Sequence, residues 1–182
     1  MVSADYPLGI DCGFPQEGVD FVGAREAHVE FAAIRVGQGI WPDPDFEVLW
    51  SEAKTEKILR LGYMVYQPGV TGINQSRTYC DSMPANDRGE LMPALDLEKN
   101  PVDWNQLYAM VTAIEQFDGR EMMIYSGAWF LNGISVPAWI QAKPHWLVGY
   151  NDTGPTPLKG YSPEIICWQQ TSSWNVAWVG LT

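Results

Sequence analysis

Basic residues are scarce in this chain: 11 Lys and Arg stand against 22 Asp and Glu, a formal charge of −11. A surface of that sign repels phosphate backbones and anionic headgroups, so neither nucleic acid nor a membrane is expected as a partner. Long apolar runs are missing too, and nothing approaches the roughly 18 residues of a membrane span. The first residues, Met1-Val2-Ser3-Ala4-Asp5, hold neither a basic region nor a hydrophobic segment, so no secretory signal is expected. Cysteine is sparse and odd in number. Cys12, Cys80 and Cys167 lie at scattered spacings, which argues for reduced thiols and against a disulfide framework or a metal site. The two histidines, His28 and His145, are far apart and share no ligand spacing, so no zinc is expected. Neither a G-x-G-x-x-G after the first apolar run nor a G-x-x-x-x-G-K-[ST] occurs, which disfavours a nucleotide cofactor.

What the chain has in plenty is aromatic side chains, with nine Trp and eight Tyr in 182 residues. Rings beyond those a core needs often line grooves for ligands with flat apolar faces, sugars among them; for any single ring, packing in the core is the equal alternative. The length allows one sizeable core, so one domain is expected.

Apolar runs and helical periodicity alternate along the chain. Leu8–Cys12 reads as a first strand ending in an acid, Asp11, and residues 19–27 as a short helix. A buried strand over 31–37 carries Arg35 near its end. Asp45 reads as the cap of a helix over 46–61 stopped by Gly62. A third strand is expected over 63–67 and a short helix over 75–82. A fourth strand over 92–98 is followed by Asn100-Pro101 as helix cap and first turn, then by a helix closing at Gly119. A fifth strand over 121–126 and a helical turn over 128–132 follow. Strands over 145–150, 165–170 and 175–181 complete the chain without a long helix. Five β/α units and then three strands imply a parallel sheet in an α/β fold, closed as a barrel whose active site collects where strands end.

Met92-Pro93-Ala94-Leu95-Asp96-Leu97-Glu98 is the unusual stretch. Side chains alternate along a strand, so Ala94, Asp96 and Glu98 share one face and Leu95 and Leu97 the other. Carboxylates ending a buried strand are costly to desolvate unless paired or catalytic. Either the strand spills into solvent there, or Asp11, Asp96 and Glu98 meet at one mouth.

Gly9-Ile10-Asp11, Phe31 to Arg35 with Gly39, Asp96-Leu97-Glu98, Ile124-Tyr125-Ser126, Trp146 with Tyr150, and Trp168-Gln169 occur in an order and spacing that resembles the glycoside hydrolase family 25 lysozymes. That resemblance covers nearly the whole chain. It implies an irregular TIM-like (β/α)5(β)3 barrel, residues 1–182 as one catalytic domain, and hydrolysis of the β-1,4 bond between N-acetylmuramic acid and N-acetylglucosamine in peptidoglycan. It also implies catalytic roles: Glu98 as general acid, Asp96 as its negatively charged partner or a positioner of the substrate's N-acetyl oxygen, and Asp11 as the acid of strand one. Tyr66, Tyr125, Trp146, Tyr150 and Gln169 are the implied substrate-binding positions, with packing as the alternative for the rings. Arg35 is expected to pair with Asp11 or another acid.

One departure stands out. The family carries a further acid on its last strand, which by spacing would fall just past Thr182, so the chain is either truncated there or lacks the residue. The expected partner is the glycan strand of peptidoglycan, met by a monomeric, phage-encoded protein made in the host cytoplasm and acting on the cell wall, extracellularly if released. A weakened barrel that binds wall glycan, and a glycosidase for another polysaccharide, are the alternatives.

Overall fold

The computed structural model of the chain describes residues 7–14, 18–150 and 154–171. Strand β1 (Leu8–Cys12) leads to helix α1 (Phe21–Glu26), whose Asp20 cap accepts from the Gly23 amide at 2.9 Å. β2 (Val29–Gln38) turns back through the two-residue antiparallel β3 (Trp41–Pro42) into α2 (Phe46–Thr55). β4 (Leu59–Val65) with α3 (Gly72–Ser82), β5 (Ala94–Asp96) with α4 (Trp104–Asp118), and β6 (Met123–Gly127) with α5 (Ala128–Leu131) make three further units. The single turn α6 (Ala138–Gln141) precedes β7 (His145–Val148) and β8 (Ile165–Gln169).

The strands pair in parallel in the order β1-β2-β4-β5-β6-β7-β8. The sheet is curled, because Gln169 Nε2 on β8 lies 3.5 Å from Asp11 Oδ2 on β1. Five strand–helix units followed by strands match the expected α/β, TIM-like architecture. The strand expected over 175–181 lies outside the described residues, as does the position just past Thr182 where the resemblance puts a further acid.

Alternation along the strands builds two apolar layers. Ile34, Met64, Leu95 and Leu97 pack outward in one cluster with Met110 and Ile114 of α4, and Phe31, Ala33, Leu61, Ala94 and Trp146 fill the inside of the curl. Each of the Ile, Leu, Met and Phe side chains among them contributes about 1.5–3 kcal/mol on burial. No helix among the described residues is long and apolar enough to cross a membrane. All three cysteines are free thiols.

Three local expectations change. Helix α2 ends at Thr55, since Lys57 adopts a left-handed conformation (φ 61°) and the Ile58 amide bonds Ala53 O at 3.0 Å, sending the chain into β4. Gly62 therefore lies inside a strand, where a Cβ would stand 2.7 Å from Met83 Cε and 2.8 Å from Val36 Cγ2. Asp45 sits at the N-cap of α2 without a side-chain cap bond; Asp43 Oδ1 accepts the Asp45 amide instead, at 2.9 Å. Asn100-Pro101, a cis peptide, precedes α4 without capping it, and Asp103 accepts from the Asn105 and Gln106 amides, both at 3.1 Å. The stop at Gly119 (φ 87°) is where the periodicity puts it.

The approach to β5 is fixed by Arg60, a buried guanidinium at the start of β4. It donates to Asp87 Oδ1 and Glu90 Oε1, both at 2.7 Å, and to Trp50 O at 3.2 Å, and it stacks on the Trp50 ring. Its carbonyl accepts the Glu90 and Leu91 amides. Removing the guanidinium leaves two acids facing each other beside apolar surface. Arg60→Ala is expected to lose about 3 kcal/mol, read as a lower urea midpoint at pH 7. Arg60 holds the Asp87 carboxyl well below its ordinary pKa, so this stabilisation is present above the unfolded value of about 3.9 and fades as pH falls below it. The gap between wild type and variant should therefore narrow below about pH 4, and a gap independent of pH would contradict the pairing.

Candidate active site

The three expected acids sit where strands end, and each is partly exposed. Asp11 is the penultimate residue of β1, Asp96 the last of β5, and Glu98 follows two residues later. The backbone around the pair is clamped from both neighbouring strands: the Tyr66 amide donates to Asp96 O (3.0 Å), the Leu97 amide to Tyr125 O (2.9 Å), and the Ser126 hydroxyl to Leu97 O (2.7 Å). Leu97 is fully buried in the outer layer and Ala94 in the inner one, so alternation turns Asp96 and Glu98 to the inner side of the curl.

Desolvation is the main electrostatic fact of this mouth. It raises the Asp11 carboxyl to about 6 against the opposing pull of a Tyr63 hydrogen bond, the Arg35 charge and Gln169. Burial, then the charges of Glu98 and Asp11, raise Asp96 to about 8. Burial and the Asp11 charge also raise Glu98. Lys99 and, to a lesser degree, Arg35 oppose the rise of Asp96, and Arg35 opposes that of Asp11, but the Arg35 guanidinium is committed elsewhere: its Nε donates to Asp43 Oδ2 at 2.6 Å and its Nη2 to Phe14 O. Of the alternatives for Arg35, the other acid is the one observed. Asp43, itself buried, also accepts the Phe14 amide at 3.0 Å. The site thus keeps three mutually coupled carboxyls, all raised, with Asp96 raised to about 8 and Asp11 to about 6.

The implied binding positions divide. Tyr125 on β6 donates its hydroxyl to Gln169 Oε1 at 2.6 Å, and Gln169 reaches Asp11 in turn, so these two form one chain beneath the acids. Tyr150, mostly exposed, lies beside Tyr125 and within range of the Glu98 and Asp11 charges. Trp146 is buried inside the curl, edge-on to Tyr125 (4.5 Å) and Tyr63 (6.5 Å), and acts as packing under the site. Tyr66 does not reach the mouth. It is buried in the helix-facing layer with Met64, and its hydroxyl accepts the Asp103 amide at 3.0 Å, next to the α4 cap.

Tyr63, which sequence reasoning passed over, takes the place expected of Tyr66. The register sets Tyr63 beside Ala94 and Val65 beside Asp96, and its alternation with buried Leu61 is the signal that would have found it. Exposed rings flank the acids: Trp129 and Tyr150 past β6 and β7, Phe14 and Trp41 past β1 and β2. His145 is buried in β7 with Nδ1 on Lys143 O, away from the acids in sequence and function. Among the described residues no group of three or more His, Cys, Asp or Glu is arranged to hold a metal ion.

A sequence model described as Glycosyl hydrolases family 25 matches residues 10–179. The uncharacterized protein YegX of Escherichia coli K12 is 26% identical over 172 residues that cover 85% of this chain, and the chain spans 60% of that relative's length. Among solved structures, the muramidase from Acremonium alcalophilum matches with a TM-score of 0.80 at 19% identity, covering 97% of this chain and 94% of that one. The catalytic domain of endolysin ply40 from bacteriophage P40 of Listeria monocytogenes matches with a TM-score of 0.73 at 17% identity, covering 99% and 95%. At such identities the structural likeness speaks for the fold.

The raised Asp96 pKa makes a stability prediction. The folded chain binds that proton more tightly than the unfolded chain, whose carboxyl titrates near 3.9, so stability falls as pH rises between about 4 and about 8. Asp96→Asn removes that slope. Between pH 5 and pH 8 the wild type should lose on the order of 2 kcal/mol more than the variant in urea unfolding; parallel pH profiles would contradict the assigned burial.

Proposed function

The chain belongs to the glycosyl hydrolases of family 25, and on that premise we propose that it is a muramidase cleaving the β-1,4 bond between N-acetylmuramic acid and N-acetylglucosamine in peptidoglycan. The observation that carries this reading is the trio Asp11, Asp96 and Glu98, each held above its ordinary pKa at the strand ends. Glycoside cleavage needs a carboxyl that keeps a proton for the leaving oxygen and a negative group beside an oxocarbenium-like sugar. Glu98 is the donor: it has the longer side chain and stands two residues past the end of β5.

Asp96 and Glu98 titrate as a pair, both raised, with the Glu98 charge among the causes of the Asp96 rise. As positive charge grows on the sugar beside Asp96, its ionised form is favoured and the shared proton is left to Glu98. Asp96 then serves as the anionic partner of the reacting ring and its N-acetyl group. Asp11, ionised above about pH 6, is a positioning residue whose charge keeps Glu98 protonated at higher pH. Trp129, Tyr150, Phe14 and Trp41 offer ring faces to the sugars on either flank. The inferred setting is wall lysis by a monomeric phage-encoded enzyme, for which the likeness to the phage P40 endolysin is the support.

The test is to incubate the protein with purified bacterial wall, follow turbidity and new reducing ends, and identify the reducing-end sugar. Muramic acid is expected; another sugar would point to a different glycosidase. Glu98→Gln should lower turnover by about 10²–10⁴-fold while wall binding is kept, and full activity in that variant would overturn the assignment. Binding without new reducing ends in the wild type would mean a glycan-binding barrel. Because Glu98 must hold a proton, turnover should fall on the alkaline side through a pKa above the usual glutamate value.

A further inference from the structure

A cleft of about 560 Å³ opens past the ends of β6 and β7, lined by Trp129, Asn132, Val148, Gly149, Tyr150 and Lys159 among others. Among the described residues no Asp or Glu lines it, in a chain with twice as many acids as bases. Its two rings are strongly exposed, Trp129 at 68% and Tyr150 at 60%. The indole is seated over Gly127, where a Cβ would stand 2.0 Å from Trp129 Nε1, so only a bare backbone lets the ring lie there. The cleft lies next to the acids: Tyr150, which lines it, is within range of the Glu98 and Asp11 charges.

Lys159 is the cation of this cleft. Its backbone amide donates to Asn132 Oδ1 at 2.6 Å and Asn132 Nδ2 bonds Pro157 O at 3.4 Å, so the end of α5 holds the 157–159 segment in place. Like Lys57, Arg77, Arg88 and Lys99, Lys159 forms no ion pair among the described residues, and it is the basic residue that lines this cleft. An ammonium in a cleft whose described lining holds no acid, beside two ring faces and next to the glycosidase site, matches a sugar that presents a ring face and a carboxylate.

We propose that this cleft is a subsite for a carboxylate-bearing sugar residue and that Lys159 reads its carboxylate. Resting on the muramidase reading, this names the lactyl carboxylate of a muramic residue, or a carboxylate of a peptide attached to it, as the recognised group. Lys159 is a specificity residue and takes no part in proton transfer.

The test measures binding by intrinsic tryptophan fluorescence in the Glu98→Gln background, so that no turnover intervenes. Three probes are titrated: a peptide-free tetrasaccharide of alternating N-acetylglucosamine and N-acetylmuramic acid, its carboxyl-methylated form, and the same tetrasaccharide carrying stem peptides. Lys159→Gln should weaken the peptide-free acid by about tenfold, leave the methylated form unchanged, and be rescued by Lys159→Arg. A loss confined to the peptide-bearing chain assigns the peptide as the source of the carboxylate. Equal losses on acid and methyl ester, or no loss on either acidic probe, would overturn the proposal. A wild type that releases no reducing ends from wall would defeat the muramidase reading alone, because the binding comparison decides the lysine independently.

Discussion

The site depends on carboxyls that are desolvated without being neutralised. Asp11, Asp96 and Glu98 end strands of a curled parallel sheet, and burial pushes all three toward their protonated forms. The nearby guanidinium that would cancel this, Arg35, is held by Asp43 and by the Phe14 carbonyl instead. Had Arg35 paired with Asp96, the acid would titrate low and carry no proton at neutral pH. The unfavourable burial is what makes the trio useful in acid–base work on a sugar bond.

The rest of the fold keeps these acids in position. β5 has only three residues, too few to hold itself, and it is held by backbone bonds from Tyr66 and Tyr125 on either side and by the Ser126 hydroxyl. The segment that delivers β5 is pinned by Arg60 through Asp87 and Glu90. Close approach of helices sets the outer wall: a Cβ on Gly72 of α3 would lie 1.9 Å from Gln106 O of α4, so that crossing admits only glycine. Inside the curl, Trp146 against Tyr125 supports the floor from which Tyr125 and Gln169 reach Asp11.

Much of this was legible in the sequence, for particular reasons. The alternation of Ala94, Asp96 and Glu98 against Leu95 and Leu97 survives in three dimensions because one side of the strand meets α4 and the other the inside of the curl. Tyr66 was misplaced because alternation says which residues share a face but not which face looks inward. Pairing with β5 decides that, and it selects Tyr63. The end of α2 was hidden by Lys57, a left-handed stop without glycine, while apolar residues carried on in helical spacing across it. Trp129 and Lys159 were invisible as site residues because a four-residue helix and a loop bring them to the mouth, and neither has a periodicity to read. Arg60 gave no signal either, since its partners lie 27 and 30 residues away.

The most direct measurement of the central claim is a carbon-13 NMR titration of the side-chain carboxyls, with Asp11, Asp96 and Glu98 assigned by substitution. The account predicts that Asp96 titrates near 8 and Asp11 near 6, and that Glu98 titrates above its ordinary value and moves down in Asp11→Asn. Three carboxyls titrating independently near 4 would contradict it, because such a site would hold no proton to give.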